Sequence, residues 1–111
     1  MKNMDIRNKI IDDEVIQKMS QMLFVSSEKN RLKILVSLFE GEKCVSDLEE
    51  ATGASQSLVS HQLQVLRKAK LITFRKDGNR VFYSLDDDHI YKLIQVAYEH
   101  AQEKEQHNEE N

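Results

Sequence analysis

The spacing of apolar residues changes near residue 70, and this change limits the chain to few architectures. Before that point apolar residues recur every three or four positions, which is the period of one helix face. From Leu71 to Leu85 two runs rich in apolar and aromatic residues flank the turn Lys76–Asn79, which contains Asp-Gly. Such runs on either side of Asp-Gly predict a β-hairpin. The helical period then returns, so the sequence predicts one hairpin within a helical chain.

Helical spacing predicts four helices before the hairpin. The first covers about residues 12–25, and Ser26 and Ser27 are the candidate N-caps of the second. A short third helix closes at Gly53, and the fourth runs from Ser55 to about Lys68. A short helix, a glycine-containing turn and a second helix are typical of a helix-turn-helix. With the hairpin as its wing, the predicted fold is a mainly α winged helix-turn-helix.

A single domain is expected to account for all 111 residues, 1–111. A last helix is predicted from about Asp87 to Lys104, so residues 12–104 form the folded part and 105–111 a flexible acidic tail. Proline and tryptophan are absent and 32% of the residues are charged, which favours a helical protein. The sequence contains no membrane-spanning apolar run, no signal-peptide core and only one cysteine. We therefore expect a cytoplasmic protein with no membrane partner.

The net charge of −3 conceals an asymmetry along the chain. Residues 55–80 carry six basic side chains against one acidic side chain, whereas residues 86–111 carry eight acidic side chains against two basic ones. A basic middle suits a polyanion such as DNA, and an acidic end suits cations. Two solvated surfaces would show the same charges, so charge alone does not decide between these interpretations.

The first half of the fourth helix carries short or planar hydrogen-bonding side chains. In a helix-turn-helix this end enters the major groove, where glutamine can contact adenine and serine can contact phosphate or base. The basic hairpin tip would reach neighbouring phosphates or the minor groove. Surface helices and exposed hairpins also carry such residues for solubility, which is the alternative. The candidate DNA-binding residues are Ser55, Gln56, Ser57, Ser60 and His61 on the helix, and Arg75, Lys76, Asn79 and Arg80 on the hairpin.

Two pairs of metal-ligating residues lie on the predicted last helix, Asp87 with His89 and His100 with Glu103. His89 and His100 are 11 residues apart, which is roughly 16 Å of helical rise. A metal–nitrogen bond is about 2 Å long, so one helix cannot bring both pairs to one ion. A second copy packed antiparallel across a two-fold axis would form two four-ligand sites per dimer. Alternatively, the acidic run 86–88 merely caps the helix and complements its dipole.

Cys44 and Asp47 form a further potential metal-binding pair, at spacing i and i+3. Residues 1–43 contain no other cysteine and no histidine, so the pair has no further ligands there. We therefore expect Cys44 to be a partly buried structural cysteine. The sequence also contains no glycine-rich phosphate loop and no plausible Ser–His–acid set. We accordingly expect no enzymatic activity and no small-molecule substrate.

Four stretches of the chain, taken together, resemble the ArsR/SmtB family of metal-sensing bacterial repressors. They are NRLKIL at 30–35, CVSDL at 44–48, SQSLVSHQL at 55–63 and VFYSLDD at 81–87. The resemblance covers roughly residues 12–103. Within the family the chain is similar to the subclass that senses zinc through the C-terminal helix, which implies the ligand set Asp87, His89, His100 and Glu103. The N-terminal arm lacks the thiols and imidazoles that the family combines with Cys44 and Asp47, so that second site is incomplete.

The resemblance also implies a function, that of a homodimeric transcriptional repressor. Its metal-free dimer is expected to bind double-stranded operator DNA. Zinc bound between the subunits, or cadmium or cobalt in its place, is expected to weaken that binding and derepress a metal efflux or resistance gene. Such coupling is reciprocal, so DNA weakens metal binding by the same factor. The alternative is a winged-helix DNA-binding regulator that metal does not gate, with the histidines on the dimer surface.

Overall fold

Five helices and one antiparallel hairpin make up the residues that this computed structural model describes, 11–110, with side chains described for 11–103. In chain order the elements are α1 (Asp13–Ser27), α2 (Lys29–Leu38), α3 (Val45–Thr52), α4 (Gln56–Lys68), β1 (Ile72–Asp77), β2 (Arg80–Leu85) and α5 (Asp88–Glu110). The predicted winged helix-turn-helix is confirmed, with α3 and α4 as the motif and β1–β2 as the wing.

The apolar core lies among α2, α3, α4, the start of the hairpin and α5. Leu35, Leu48, Leu66 and Leu71 are 0% exposed. Truncating such a leucine to alanine typically costs about 2–5 kcal/mol, because burial is lost and a cavity remains. Apolar packing therefore fixes α4 to the rest of the domain. The buried apolar residues of this core are Ile34, Leu35, Leu38, Leu48, Val59, Leu63, Leu66, Leu71, Ile72, Ile90 and Ile94.

The turn between α3 and α4 is set by two residues. Gly53 has φ +75°, a left-handed conformation, and its N–H donates to the Glu49 carbonyl at 2.8 Å. In this conformation a residue with a Cβ atom would be strained by about 1–2 kcal/mol relative to glycine. Ser55 then caps α4, because its hydroxyl accepts the Leu58 N–H at 3.2 Å. These local contacts terminate one helix, start the next, and orient α4 relative to α3.

The hairpin is paired in a register that runs from Ile72 opposite Leu85 to Asp77 opposite Arg80. This register leaves a two-residue loop, in which Gly78 has φ +64°. The hairpin is tied to the segment before α3 by two backbone hydrogen bonds between Lys43 and Tyr83, at 2.8 and 3.0 Å. The middle of strand β2 is therefore bound to the segment before α3, so the wing is not held only by the chain at its two ends.

The N-cap prediction for α2 was wrong. Ser26 and Ser27 lie inside α1, and their hydroxyls donate to the carbonyls of Met22 and Phe24. Serine hydroxyls that bond to the preceding helical turn let a helix continue through them. Glu28 caps α2 instead, and its carboxylate accepts the Arg31 N–H at 2.9 Å.

The last helix also differs from its prediction. It extends to Glu110, whereas the sequence pattern placed its end near Lys104. The flexibility expected for residues 105–111 stays a prediction. Neither glycine nor proline occurs from Asp88 to Glu110, so no residue in that stretch breaks the helix. Among the described residues, none of the helices is both long enough and apolar enough to span a bilayer.

Candidate DNA interface and metal centre

Helix α4 separates its side chains into a buried face and an exposed face. Val59, Leu63 and Leu66 point into the core. The residues predicted to read DNA are all exposed, namely Ser55, Gln56, Ser57, Ser60 and His61. They cluster in the first two turns, and at the first turn the helix dipole and the N–H groups without a helical acceptor favour a phosphate. The geometry can therefore present hydrogen-bonding groups and a partial positive charge to a polyanion.

The four predicted wing residues are exposed too, but two of them have partners within the chain. Arg75 donates from Nε to Glu42 Oε2 at 3.0 Å, and Arg80 donates from Nη2 to Cys44 Sγ at 3.1 Å. The remaining two candidates are Lys76 and Asn79. The wing tip thus combines arginines of restricted orientation with a lysine on the same hairpin.

Electrostatic effects accompany the Arg75–Glu42 contact. The hydrogen bond from the guanidinium lowers the pKa of the Glu42 carboxyl and raises the pKa of Arg75. Both guanidinium groups also lie over the ring of Phe82, with Arg75 at 4.8 Å and Arg80 at 5.2 Å from the ring centroid. Cation–π contact of this kind holds a planar cation without neutralising it. The Phe82 ring therefore helps to order both guanidinium groups, while the Glu42 carboxylate offsets the charge of Arg75.

Cys44 is buried, as the sequence predicted, with 7% of its surface exposed. Asp47 Oδ2 accepts the backbone N–H of Cys44 at 3.1 Å and lies 3.2 Å from its sulfur. Hydrogen bonds from the Ser46 hydroxyl and then the Asp47 backbone lower the pKa of the Cys44 thiol. Cys44 and Asp47, at spacing i and i+3, thus form the start of α3. The Asp47 carboxylate accepts from the backbone of Cys44, and the Arg80 guanidinium donates to the Cys44 sulfur.

The first candidate metal pair lies where α5 begins. Asp87 Oδ1 accepts the N–H groups of His89 at 2.9 Å and Ile90 at 3.2 Å, so this oxygen caps the helix. The bond from Ile90 makes the largest contribution to the lowered pKa of the Asp87 carboxyl. Its other oxygen, Oδ2, lies 3.4 Å from His89 Nδ1, and the His89 side chain is 92% exposed. Capping and ligation use different oxygens and are therefore compatible.

The second candidate pair, His100 and Glu103, lies further along α5 and is also exposed. Within the part of the chain whose side chains are described, no three histidine, cysteine, aspartate or glutamate residues are grouped closely enough to hold a metal. The described part of a single subunit therefore brings together two donors at the start of the helix and groups no third donor with them.

Exposed apolar side chains are concentrated on the first and last helices. On α1, Met19 and Leu23 are 48% and 51% exposed, and on α5, Val96 and Tyr98 are 65% and 50% exposed. Exposed apolar side chains grouped on one helix often mark a protein–protein interface. The first and last helices each carry such a group.

Two residues that bear on the interface were not predicted from the sequence. Arg67, at the end of α4, lies over the ring of Phe74 on the wing, 4.1 Å from its centroid. Gln62 is only 6% exposed and lies on the core side of α4. A signal for Gln62 was present, because it occupies an i, i+3 position relative to Val59 on the apolar face. A polar residue at such a position predicts a buried hydrogen-bonding partner.

An exposed, capped second helix beside a basic hairpin defines the class of winged helix-turn-helix transcriptional regulators. Residues 28–73 match the sequence model of the bacterial regulatory protein arsR family. The transcriptional repressor SmtB homolog of Synechocystis sp. is 33% identical over 100 residues, covering 90% of this chain and 76% of that relative. The chain therefore belongs to the ArsR/SmtB family, whose members are DNA-binding transcriptional regulators rather than enzymes.

Two further comparisons agree with this assignment. The cadmium resistance transcriptional regulatory protein CadC homolog of Staphylococcus aureus is 38% identical over 78 residues, covering 69% of this chain and 64% of that relative. The homodimeric winged helix-turn-helix DNA-binding domain of a possible ArsR-family regulator from Mycobacterium bovis superposes with a TM-score of 0.81 at 24% identity, covering 90% of this chain and 94% of that domain. At that identity the second comparison supports the fold alone.

Proposed function

We propose that this protein is a metal-responsive transcriptional repressor that acts as a homodimer. Its metal-free dimer binds operator DNA through α4 and the wing. Metal bound between the subunits weakens that binding and allows transcription of a metal efflux or resistance gene. The observation that carries this proposal is the solvent-facing pair at the start of α5, Asp87 Oδ2 and His89 Nδ1, which lie 3.4 Å apart.

The proposed metal site combines donors from two subunits. Asp87 and His89 of one chain face His100 and Glu103 of the other, because antiparallel α5 helices bring the start of one helix against the end of its partner. Two imidazoles and two carboxylates suit Zn²⁺ in tetrahedral coordination, and Cd²⁺ or Co²⁺ can accept the same donors. A CadC homolog among the relatives, described as a cadmium resistance regulator, supports a metal as the effector.

Dimerisation is supported by the shape of the chain as well as by its exposed apolar residues. The Cα radius of gyration is 16.2 Å, whereas a compact domain of about 100 residues has a radius of about 13 Å. The principal extents are 49 × 45 × 20 Å, so the subunit is flat. A second copy packed on α1 and α5 would cover the apolar faces of both helices and place two α4 helices on one side.

DNA binding is proposed for the exposed residues of α4 and the wing. The helix residues Ser55, Gln56, Ser57, Ser60 and His61 enter the major groove, and Gln56 makes the base contact that carries most sequence information. The wing residues Arg75, Lys76, Asn79 and Arg80 contact the sugar–phosphate backbone and supply affinity without sequence preference.

A second candidate function is favoured by the capping role of Asp87. Because Asp87 Oδ1 already holds two backbone N–H groups of α5, the residue has a structural role that needs no metal. In that case the protein is a winged-helix regulator that binds DNA without metal control. His89 and His100 are then polar residues on the surface of the dimer.

Metal-dependent DNA binding separates the two candidates. The experiment measures the affinity of the purified protein for a duplex that it selects from a random library, without metal and with Zn²⁺, Cd²⁺ or Co²⁺. We expect two metal ions per dimer and a fall in affinity of roughly 5- to 150-fold, the usual range of allosteric coupling. Glu103→Gln should abolish the metal effect, whereas Glu99→Gln, on the same helix, should retain it. Unchanged affinity at saturating metal would favour the regulator without metal control.

A further inference from the structure

We propose that Gln62 is a positioning residue for DNA recognition, which holds α4 at a fixed rotation against the corner between α1 and α2. This inference rests on the proposed DNA binding through α4 and adds a residue that does not itself face the nucleic acid. Gln62 is buried on the core side of α4, whereas its neighbour His61 is on the exposed side. Its role is to orient the side chains that read the operator.

The amide of Gln62 uses both of its ends. Its Oε1 accepts from Arg31 Nη1 at 2.9 Å, and its Nε2 donates to Glu28 Oε1 at 3.3 Å. Arg31 also donates from Nε to the carbonyl of Val25, at 2.6 Å, in the last turn of α1. One amide and one guanidinium therefore join three helices: α1 through Val25, α2 through Glu28 and Arg31, and α4 through Gln62.

The network is directional in a way that the surrounding apolar contacts are not. A buried amide that loses a partner costs about 1–3 kcal/mol, so rotations of α4 that break either hydrogen bond are penalised. Apolar contacts have no donor or acceptor direction of their own. In the proposal, the buried side chains of Val59, Leu63 and Leu66 hold α4 against the core, and Gln62 sets its angle about its own axis.

Small rotations matter for recognition because hydrogen bonds to bases have narrow limits. The outer side-chain atoms of a helix lie about 5–6 Å from its axis, so a rotation of about 10° moves them by about 1 Å. A hydrogen bond of about 2.9 Å becomes ineffective when it is stretched by that amount. The exposed residues Gln56, Ser57 and His61 are on the same rigid helix as Gln62. An incorrect angle would displace all three from the groove together.

The acceptor in this network is a charged group. The backbone N–H of Arg31 makes the largest contribution to the lowered pKa of Glu28, so Glu28 remains a carboxylate at neutral pH. Hydrogen bonds to ionised acceptors are stronger than those between neutral groups. Through the Val25 carbonyl the same guanidinium also holds α1, one of the two helices proposed for the dimer interface. The network thus links the dimer contact to the angle of α4.

The test compares Gln62→Met with the matched control Gln95→Met. Methionine has nearly the volume of glutamine and removes only the amide. Gln95 is a suitable control because its amide also donates to a glutamate, Glu99, at 3.4 Å, but on α5. The wild-type protein first selects a duplex from a random library. The affinity of each variant is then measured for that duplex and for a scrambled duplex of the same length.

Gln62→Met should bind the selected duplex about tenfold more weakly, which corresponds to about 1.4 kcal/mol, and bind the scrambled duplex as tightly as wild type does. The decisive quantity is the ratio of the affinity for the selected duplex to that for the scrambled duplex. A purely structural role would lower the urea midpoint of unfolding without changing this ratio. Gln95→Met should keep the ratio. A wild-type ratio in folded Gln62→Met overturns the positioning role alone. If the wild-type protein selects no duplex, both this inference and the proposed function are overturned.

A second variant keeps the test decisive if Gln62→Met does not fold. Arg31→Lys retains the charge but cannot span Gln62 and the Val25 carbonyl together. It should reduce the ratio of selected to scrambled binding by a similar factor. Where both single variants fold, the ratio in the double variant should fall no further than in the more affected single variant, because both changes remove one shared network. Additive losses, or an unchanged ratio in Arg31→Lys, would overturn the network as the positioning element.

Discussion

Each arginine of the wing is held by a side chain that lies just before or at the start of α3. Glu42 accepts from Arg75, and Cys44 Sγ accepts from Arg80. The exposed Glu42–Arg75 contact contributes little stability, because solvent screens the charges. The effect of both contacts is on orientation, since each guanidinium is directed by a partner and by the Phe82 ring. The sequence shows three basic residues on the hairpin, two arginines and a lysine, without distinguishing their surroundings. In the structure their side chains therefore differ in conformational freedom.

The Glu42–Arg75 contact predicts a pH-dependent contribution to stability. Because the folded protein lowers the pKa of Glu42, its stabilising effect is present above the unfolded pKa, about 4.3, and is lost as pH falls through the folded value. Glu42→Gln should thus be less stable than wild type at about pH 7, and the difference should disappear as the pH falls below the unfolded pKa and through the folded one. Urea denaturation at a series of pH values measures this.

The control for this prediction is the same substitution without the partner. In an Arg75→Gln background, Glu42→Gln should cause no pH-dependent difference, because the interaction has already been removed. A difference between wild type and Glu42→Gln that does not shrink as the pH is lowered through the titration of Glu42 would show that the carboxylate is not stabilised by Arg75.

At the scale of elements, α4 and the wing form one surface because both are fixed to the same segment. Gly53 and Ser55 set the turn into α4, and the Lys43–Tyr83 bridge fixes the hairpin just before α3. Arg67 at the end of α4 adds a contact with Phe74 on β1. In the proposed complex the helix and the hairpin would therefore approach DNA as a unit, with the helix toward the groove and the hairpin toward the flanking backbone.

Helix and wing should have separable effects on DNA binding. Lys76→Ala should weaken binding to all sequences alike and lower the slope of log affinity against log salt by about one for each phosphate that the lysine no longer neutralises. Gln56→Ala should instead relax sequence preference and leave the slope unchanged. Fluorescence anisotropy across a salt series measures both. Lys92→Ala on α5 is the control, and wild-type affinity and slope in Lys76→Ala would remove the wing tip from the interface.

At the scale of the whole molecule, the proposed metal site is formed only when the two pairs on α5 come from two chains. The described part of one chain brings Asp87 and His89 together and groups no third metal-ligating residue with them. The exposed apolar residues of α1 and α5 favour the association that would supply the other pair. Metal binding and dimer geometry are thus coupled in the proposal, because every site is shared.

Mixed dimers provide the direct test of shared sites. One subunit carries His89→Ala and the other carries His100→Ala, and each bears a different affinity tag so that the heterodimer can be purified. If the ligands come from both subunits, one site loses both histidines and the other keeps all four ligands. We therefore expect one tightly bound Zn²⁺ per heterodimer, measured by isothermal titration calorimetry.

The two homodimers serve as controls for the mixed dimer. Each lacks one histidine in both sites and should bind zinc weakly at both. Loss of all tight zinc binding in the heterodimer would mean that each site draws its histidines from a single chain, and would refute the intersubunit arrangement.

Much of the fold was determined by the sequence alone, because it depends on local signals. The change of period at Leu71 identified the hairpin, and Gly53 and Ser55 identified the turn of the helix-turn-helix. The split of α4 into apolar and polar faces also follows from spacing, so its exposed candidates could be named in advance. Signals of this kind act over a few residues and can be recognised without the rest of the chain.

Other features were decided only by the tertiary structure. The sequence could not show that Gln62 reaches Glu28 and Arg31, because those residues are more than 30 positions away and meet it only through helix packing. The sequence pattern also assigned the wrong cap to α2. Serine suits an N-cap, but its hydroxyl can equally bond to the preceding turn inside a helix, as Ser26 and Ser27 do in α1. Long-range contacts depend on how elements pack against one another, and local patterns carry little information about that.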